Sequence, residues 1–288
     1  MKHVPPPTRY FLLVGAMSLI GACAPAGSDA TAVGQITTKD KVAEGTQAPP
    51  SGARAALDVN TRRLRRLSNR EYNNVVRDLL GDSSRPADAF IKDSFQNGYD
   101  NGSVALAVQS DQAFGYQTAA EAMAASAVGH SMARFLGGCD VGAQGEAACE
   151  DAFLASFPKR AYRRPLTDSE SQRVRDIFDL GTASGGFAIG LQTALELILQ
   201  SPQFLYREEL GTSDPASVSG TATALSGYEA ASELSFLLIG SMPDDQLWSA
   251  VEEGRFATVE DRRREGARLL ATSGARETLR SFLHQWLG

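Results

Sequence analysis

Histidine and cysteine are scarce in this 288-residue chain, at three of each. No Cys-x-x-Cys-His phrase occurs, which excludes covalent haem of the c type. Equally absent are a Gly-x-Ser-x-Gly elbow, a phosphate-cradling glycine loop, a dinucleotide fingerprint and a His-Glu-x-x-His metal pair. Basic residues are in deficit, with 28 Lys and Arg against 34 Asp and Glu for a net charge of −6. That balance argues against nucleic acid, whose phosphates need a basic footprint, and against peripheral binding to anionic lipid. Only one apolar run is long enough to notice, at Tyr10–Ile20, and it is too short for a permanent membrane span. Nowhere does hydrophobicity alternate with a period of two, so strands are not expected.

The run at Tyr10–Ile20 lies in a segment of distinct character. Lys2 and Arg9 make a positive leader, and the apolar stretch ends in Leu19-Ile20-Gly21-Ala22-Cys23. Small residues leading straight into a cysteine are the ending of a bacterial lipoprotein signal, cut before Cys23 and acylated on it. The alternative is an ordinary secretory signal with Cys23 just inside the mature chain. Loss of residues 1–22 removes Lys2 and Arg9 and moves the net charge to −8. Each acyl CH₂ buried contributes about 0.8 kcal/mol, so several chains would anchor the protein stably to membrane lipid. The expected location is the cell envelope, on the extracytoplasmic side. Ala24 rather than Asp after the cysteine favours the outer membrane.

In an oxidising compartment the two remaining cysteines, Cys139 and Cys149, are most simply a disulfide across a small-residue loop. The alternative, two metal thiolates, lacks companions, because only His130 and His284 remain. Both histidines read as packed or surface residues rather than catalytic ones. No cofactor or metal is expected, and no catalytic set is identified.

Residues 23–60 are rich in Ala, Gly, Thr, Ser and Pro without apolar period and read as a disordered tether. Arg62, Arg63, Arg65 and Arg66 then read as a solvated helix entry. Beyond them the pattern is helical throughout. Capping boxes stand at Ser68/Glu71, Thr167/Glu170 and Ser226/Glu229. Apolar stripes run from Tyr72 to Leu80, from about Ser110 to Leu136, through Val174, Ile177 and Phe178, and from Phe187 to Gln200. Pro243 fits a first helical position, with Asp244 and Asp245 at the positive end of the helix dipole. Further patterns run from Thr258 to about Leu270 and from Arg276 to Leu287. The fold class expected is all-α: a multi-helix globular body after signal and tether, with a helical domain at 61–166 carrying the Cys139–Cys149 loop and a second at 167–288. Arg280–Gly288 ends inside an amphipathic helix, which either docks back on the core or, the favoured reading, belongs to a longer protein.

Two constellations carry polar chemistry. Asp93-Ser94-Phe95-Gln96-Asn97-Gly98-Tyr99-Asp100-Asn101-Gly102 could gather oxygens on a hard cation, yet Asn-Gly and Asp-Asn-Gly are turn formers in their own right, and a structural turn is favoured. Lys159-Arg160-Ala161-Tyr162-Arg163-Arg164-Pro165 and Phe204-Leu205-Tyr206-Arg207-Glu208-Glu209 supply guanidinium groups near helix ends. These suit a bound anion or internal ion pairs to Glu208, Glu209 or Asp93, and bracing is favoured. The residues retained as a weak ligand site are Asp100, Asn101, Arg163, Arg164, Tyr206 and Arg207.

Leu64-Arg65-Arg66-Leu67-Ser68-Asn69-Arg70-Glu71-Tyr72-Asn73-Asn74-Val75-Val76-Arg77-Asp78-Leu79-Leu80-Gly81 resembles the opening motif of a set of bacterial domains of unknown function, seen in planctomycetes and myxobacteria. Gly98–Asn101, Ala161–Thr167, Ser201–Arg207 and Gly240–Leu247 match its later motifs in the same order. The resemblance is to the domain of unknown function 1592 group, with the associated 1587 and 1595 domains, over Arg62 to Gly288, and to the N-terminal part of such proteins. It implies an envelope protein working near a partner such as a c-type cytochrome, and it settles no catalytic residues. Together these features lead to the expectation of a lipid-anchored helical scaffold or binding module in an extracytoplasmic assembly. The rival expectation is part of an extracytoplasmic enzyme, hydrolytic or oxidative and directed at a polymer.

Overall fold

The computed structural model describes residues 64–102, 106, 108–211, 218–219 and 222–287. The signal at 1–22, Cys23, the tether at 23–60, and Arg62 and Arg63 lie outside the described residues.

Two arginines open the described chain as a strand rather than a helix entry. β1 (Arg65–Arg66) pairs antiparallel with β2 (Tyr206–Arg207), Arg65 opposite Arg207 and Arg66 opposite Tyr206. Leu67 N–H extends this ladder to Leu205 O at 2.8 Å. Arg66 is buried, contrary to its expected solvation. Its Nη2 reaches Asp93 Oδ1 at 2.5 Å, its Nη1 the Tyr116 hydroxyl at 2.5 Å and its Nε the Leu106 carbonyl at 3.1 Å. A second two-residue pair, β3 (Val218–Ser219) with β4 (Ala222–Thr223), is also antiparallel. Strands of two residues are too short to show a period, which is why the sequence carried no sign of them.

Among the described residues everything else regular is helix, so the all-α expectation holds. α1 (Asn69–Leu80) starts at the Ser68/Glu71 capping box, buries Tyr72, Val75, Val76, Leu79 and Leu80, and ends at Gly81 in the left-handed region, φ 76°. α2 (Ser110–Phe135) follows, then the one-turn α3 (Val141–Gln144) and α4 (Glu146–Tyr162). α5 (Asp168–Gly185) and α6 (Phe187–Gln200) form a tight hairpin, succeeded by α7 (Pro202–Leu205). α8 (Gly227–Ile239), α9 (Asp245–Glu252), α10 (Val259–Leu270) and α11 (Ser273–Leu287) complete the chain. Pro243 precedes α9 instead of opening it. Asp244 is the N-cap, its carboxylate accepting from Leu247 N–H at 2.9 Å while also holding Arg268. α11 begins three residues earlier than the apolar stripe indicates.

α6 buries Phe187, Leu191, Ala194, Leu195, Ile198 and Leu199 and packs against α5 and α2, while Gln192, Thr193, Glu196 and Gln200 stay half-buried or exposed on its other face. The α5–α6 crossing is close enough to require glycine. A Cβ on Gly190 would stand 2.8 Å from the Phe178 carbonyl oxygen. The main core gathers Tyr72, Phe153, Phe178, Phe204, Leu191, Leu195, Ile198 and Leu199. A smaller core of Ala231, Leu247, Ala250, Phe256 and Leu269 sits among α8, α9 and α10. α1 is tied to the end of α8 by Asn74 Nδ2 donating to Gly240 O (3.0 Å) and by the Ser241 hydroxyl donating to Asp78 (2.6 Å).

Cys139 and Cys149 form a disulfide, Cα–Cα 5.2 Å. Cys149 lies inside α4, so the link pins the start of that helix rather than spanning a loop alone. Among the described residues no helix is long and apolar enough to cross a membrane.

Candidate functional site

The six candidate residues divide into two groups with different work. Arg163 caps α4 in the left-handed region, φ 58°. That turn sends its side chain under α7, where Nη1 donates to Ala161 O (3.0 Å) and Phe204 O (3.2 Å), and Nη2 to Gln203 O (2.9 Å) and Tyr206 O (2.7 Å). The guanidinium thereby satisfies carbonyls that the short α7 leaves open. Burial, followed by the nearby Arg207 charge, pushes its pKa down to about 10.

Arg164 grips Glu170 with both terminal nitrogens at 2.9 Å and donates from Nε to Glu208 at 2.8 Å. Hydrogen bonds to Glu170 and Glu208 raise the guanidinium pKa, and the same Arg164 contact holds the Glu170 carboxyl down to about 2. Tyr206 contributes its backbone to β2 and its carbonyl to Arg163. These three residues brace the centre of the fold, Arg164 through ion pairs to Glu170 and Glu208, Arg163 through backbone carbonyls and Tyr206 through its backbone.

Arg207, Asp100 and Asn101 come together instead, on a groove of about 830 Å³. One end is polar. Arg207, only 7% exposed, lies 3.6 Å from Glu71 Oε1 and 3.5 Å from Glu233 Oε1, with its guanidinium 4.9 Å from the centre of the Phe236 ring. Arg70 approaches Asp100 at 3.7 Å, and Arg65 approaches Glu233 at 3.6 Å. The Glu233 carboxyl is raised by burial first and by Glu209, against the opposing pull of Arg207 and Arg65. The other end is an apolar floor from α8, α10 and α11, including Leu234, Leu238, Leu279 and Phe282.

The 96–101 turn forms one rim. Gln96 and Tyr99 exchange backbone hydrogen bonds of 2.9 and 3.0 Å around Asn97 (φ 54°) and Gly98 (φ 87°), the positive angles a tight hairpin turn demands. Asp100 N–H donates to Gln285 Oε1 at 2.9 Å, and Tyr99 stacks on Phe282 at 5.8 Å, so α11 is fastened to this rim. Asp93 takes no part. Its carboxylate is occupied by Arg66 and by Asn69 N–H at 2.6 Å, and among the described residues no group of three or more acidic, His or Cys side chains is placed to hold a metal. His130 and His284 are both exposed.

Sequence reasoning missed Arg65, Arg70, Glu71, Glu233 and the whole apolar floor. One signal was available: Arg70 and Glu71 stand side by side inside the opening motif, and Glu71 accepts from Ser68 N–H with one carboxylate oxygen while the other lies 3.6 Å from Arg207.

Comparison with family models gives three matches in order along the chain. Residues 65–129 match PSD3, a protein of unknown function (DUF1587); residues 149–209 match PSD5 (DUF1595); residues 225–288 match PSD4 (DUF1592). Comparison with curated proteins and with solved structures returns no match. The groove draws its walls from the first and third of these segments, with Arg207 from the second. The chain belongs to the family of proteins built from these three domains of unknown function.

Proposed function

We propose that this protein is a helical binding module of the cell envelope, tethered by acyl chains on Cys23 to the extracytoplasmic side of a membrane, with the outer membrane favoured. The observation that carries the binding role is the 830 Å³ groove, in which a charged end adjoins an apolar floor. Sites of roughly 300–1,000 Å³, mostly apolar with a few polar groups, are the usual form of a ligand pocket. The Cys139–Cys149 disulfide supports an oxidising compartment. Small residues leading into Cys23 support the lipid tether. Within an envelope assembly the module would work beside a partner such as a c-type cytochrome, and the acidic net charge is against nucleic acid.

Metabolic labelling with an alkyne-bearing fatty acid, followed by membrane fractionation, tests the tether. The wild-type protein takes the label and sediments with membranes, and Cys23→Ala does neither. Label retained by Cys23→Ala, or soluble unlabelled wild type, contradicts the proposal.

A further inference from the structure

The polar end of the groove is assembled but not closed. Among the described residues five ion pairs contain Arg65, Arg70 or Arg207, and all five measure 3.5–3.8 Å. Other ion pairs among the described residues measure 2.5–3.1 Å, except a 4.0 Å contact of Arg264 with Glu265, whose second oxygen holds Arg268 at 2.8 Å. At such lengths direct hydrogen bonds are unmade. Four groove residues keep buried polar atoms without a hydrogen-bond partner: Arg70 Nε, Arg207 Nε and Glu233 Oε1 in those loose pairs, and Thr278 Oγ1 outside them. Donors and acceptors are both represented, and leaving either unpaired costs free energy.

Charge decides what would complete the cluster. The guanidinium groups of Arg65, Arg70 and Arg207 face the carboxyl groups of Glu71, Asp100, Glu209 and Glu233, so a bare anion or a bare cation meets repulsion as well as attraction. A hydroxyl accepts from a guanidinium and donates to a carboxylate, and it satisfies both kinds of group at no charge cost. The neighbouring floor of Leu234, Leu238, Phe256, Leu279 and Phe282 offers apolar area but no hydrogen bonds. Resting on the binding-module reading, we propose that the groove holds a neutral amphiphile, its hydroxyl-rich head among Arg65, Arg70, Arg207, Glu71, Asp100 and Glu233 and its hydrocarbon tail along that floor. Arg262 and Arg276, at the apolar end, make no ion pair among the described residues and are the groups that would instead favour an anionic head.

The test uses residues 23–288 exported behind a cleavable secretory leader with Cys23→Ser, so that no detergent is present. Calorimetric titration below micellar concentration compares octyl β-glucoside, octanoate and octyltrimethylammonium, which share a tail and differ in head. Octyl glucoside is expected to bind at least tenfold tighter than either ion. Hexyl glucoside is expected to bind about 10–15-fold more weakly than octyl glucoside, at roughly 3–4-fold per buried methylene. Arg65→Met and Leu279→Glu change exposed side chains. Arg65→Met erases the preference for the glucoside head, and Leu279→Glu weakens glucoside binding tenfold, both with unchanged melting temperature. Glucose binding as tightly as octyl glucoside, or octanoate binding tightest, overturns the ligand class and leaves the module reading standing. Failure of all three amphiphiles overturns both. The tether, measured separately, is untouched by either result.

Discussion

Arg163→Lys separates a bracing arginine from a ligand-binding one. The backbone at 163 is left-handed in either case, so the substitution changes only the head group. Arginine reaches four carbonyl oxygens, at 2.7–3.2 Å, from two nitrogens in a fixed plane. A lysine ammonium is a single point with three donors and cannot span the same set. Losing two of the four, at about 1–1.5 kcal/mol each, destabilises the fold by about 2–3 kcal/mol, since the carbonyls left behind are buried. For a body of this size each kcal/mol shifts the melting temperature by about 2–4 °C, so a fall of roughly 5–10 °C is expected. Thermal unfolding followed by circular dichroism, paired with octyl glucoside titration, gives both readouts. Binding below the transition stays within about twofold, because Arg163 does not line the groove. An unchanged melting temperature with weakened binding would refute the bracing role.

Three further outcomes follow from the same geometry. Reducing the Cys139–Cys149 disulfide, or replacing both cysteines with serine, lowers stability by about 2–3 kcal/mol in denaturant titration, from the closure entropy of so short a loop. Asp93→Asn removes the carboxylate charge that compensates buried Arg66, for a loss of about 3 kcal/mol; added Ca²⁺ leaves the wild-type melting temperature unchanged, since that carboxylate is already occupied. The pH profile carries two opposite signs. Glu170, lowered to about 2, contributes stability present above its unfolded value near 4.5 and lost as pH falls toward 2, so Glu170→Gln flattens the acid limb. Glu233, raised, contributes stability present below about 4.5 and lost as pH rises through its folded value, so Glu233→Gln gains relative to wild type on going from pH 4 to 7.

What the sequence made legible was local chemistry. The boxes at Ser68, Thr167 and Ser226 all formed, because a hydroxyl and a carboxyl three residues apart need nothing distant to close. The hairpin turn at Asn97-Gly98 was readable for the same reason. Arg66 was not, because its partners Asp93, Leu106 and Tyr116 lie 27, 40 and 50 residues away. β1 and β2 escaped notice because a two-residue strand has no period, and their pairing joins segments about 140 residues apart. The groove is illegible for a related reason. Arg207 from β2, Glu71 and Arg70 from α1, Asp100 from the turn and Glu233 from α8 meet only once the chain has folded. Ordered family motifs marked Asp100, Arg163 and Arg207 alike, without distinguishing a bracing residue from one facing open space. That distinction is carried by geometry: hydrogen bonds of 2.7–3.2 Å at Arg163 against contacts of 3.5–3.6 Å at Arg207.

Native mass spectrometry of the protein extracted from its own membranes tests the central claim most directly. A binding module tethered at the envelope leaves those membranes with acyl chains on Cys23, two hydrogens missing at Cys139 and Cys149, and a bound component that Leu279→Glu releases. A protein recovered without acyl mass, alone and unchanged by Leu279→Glu, would contradict it.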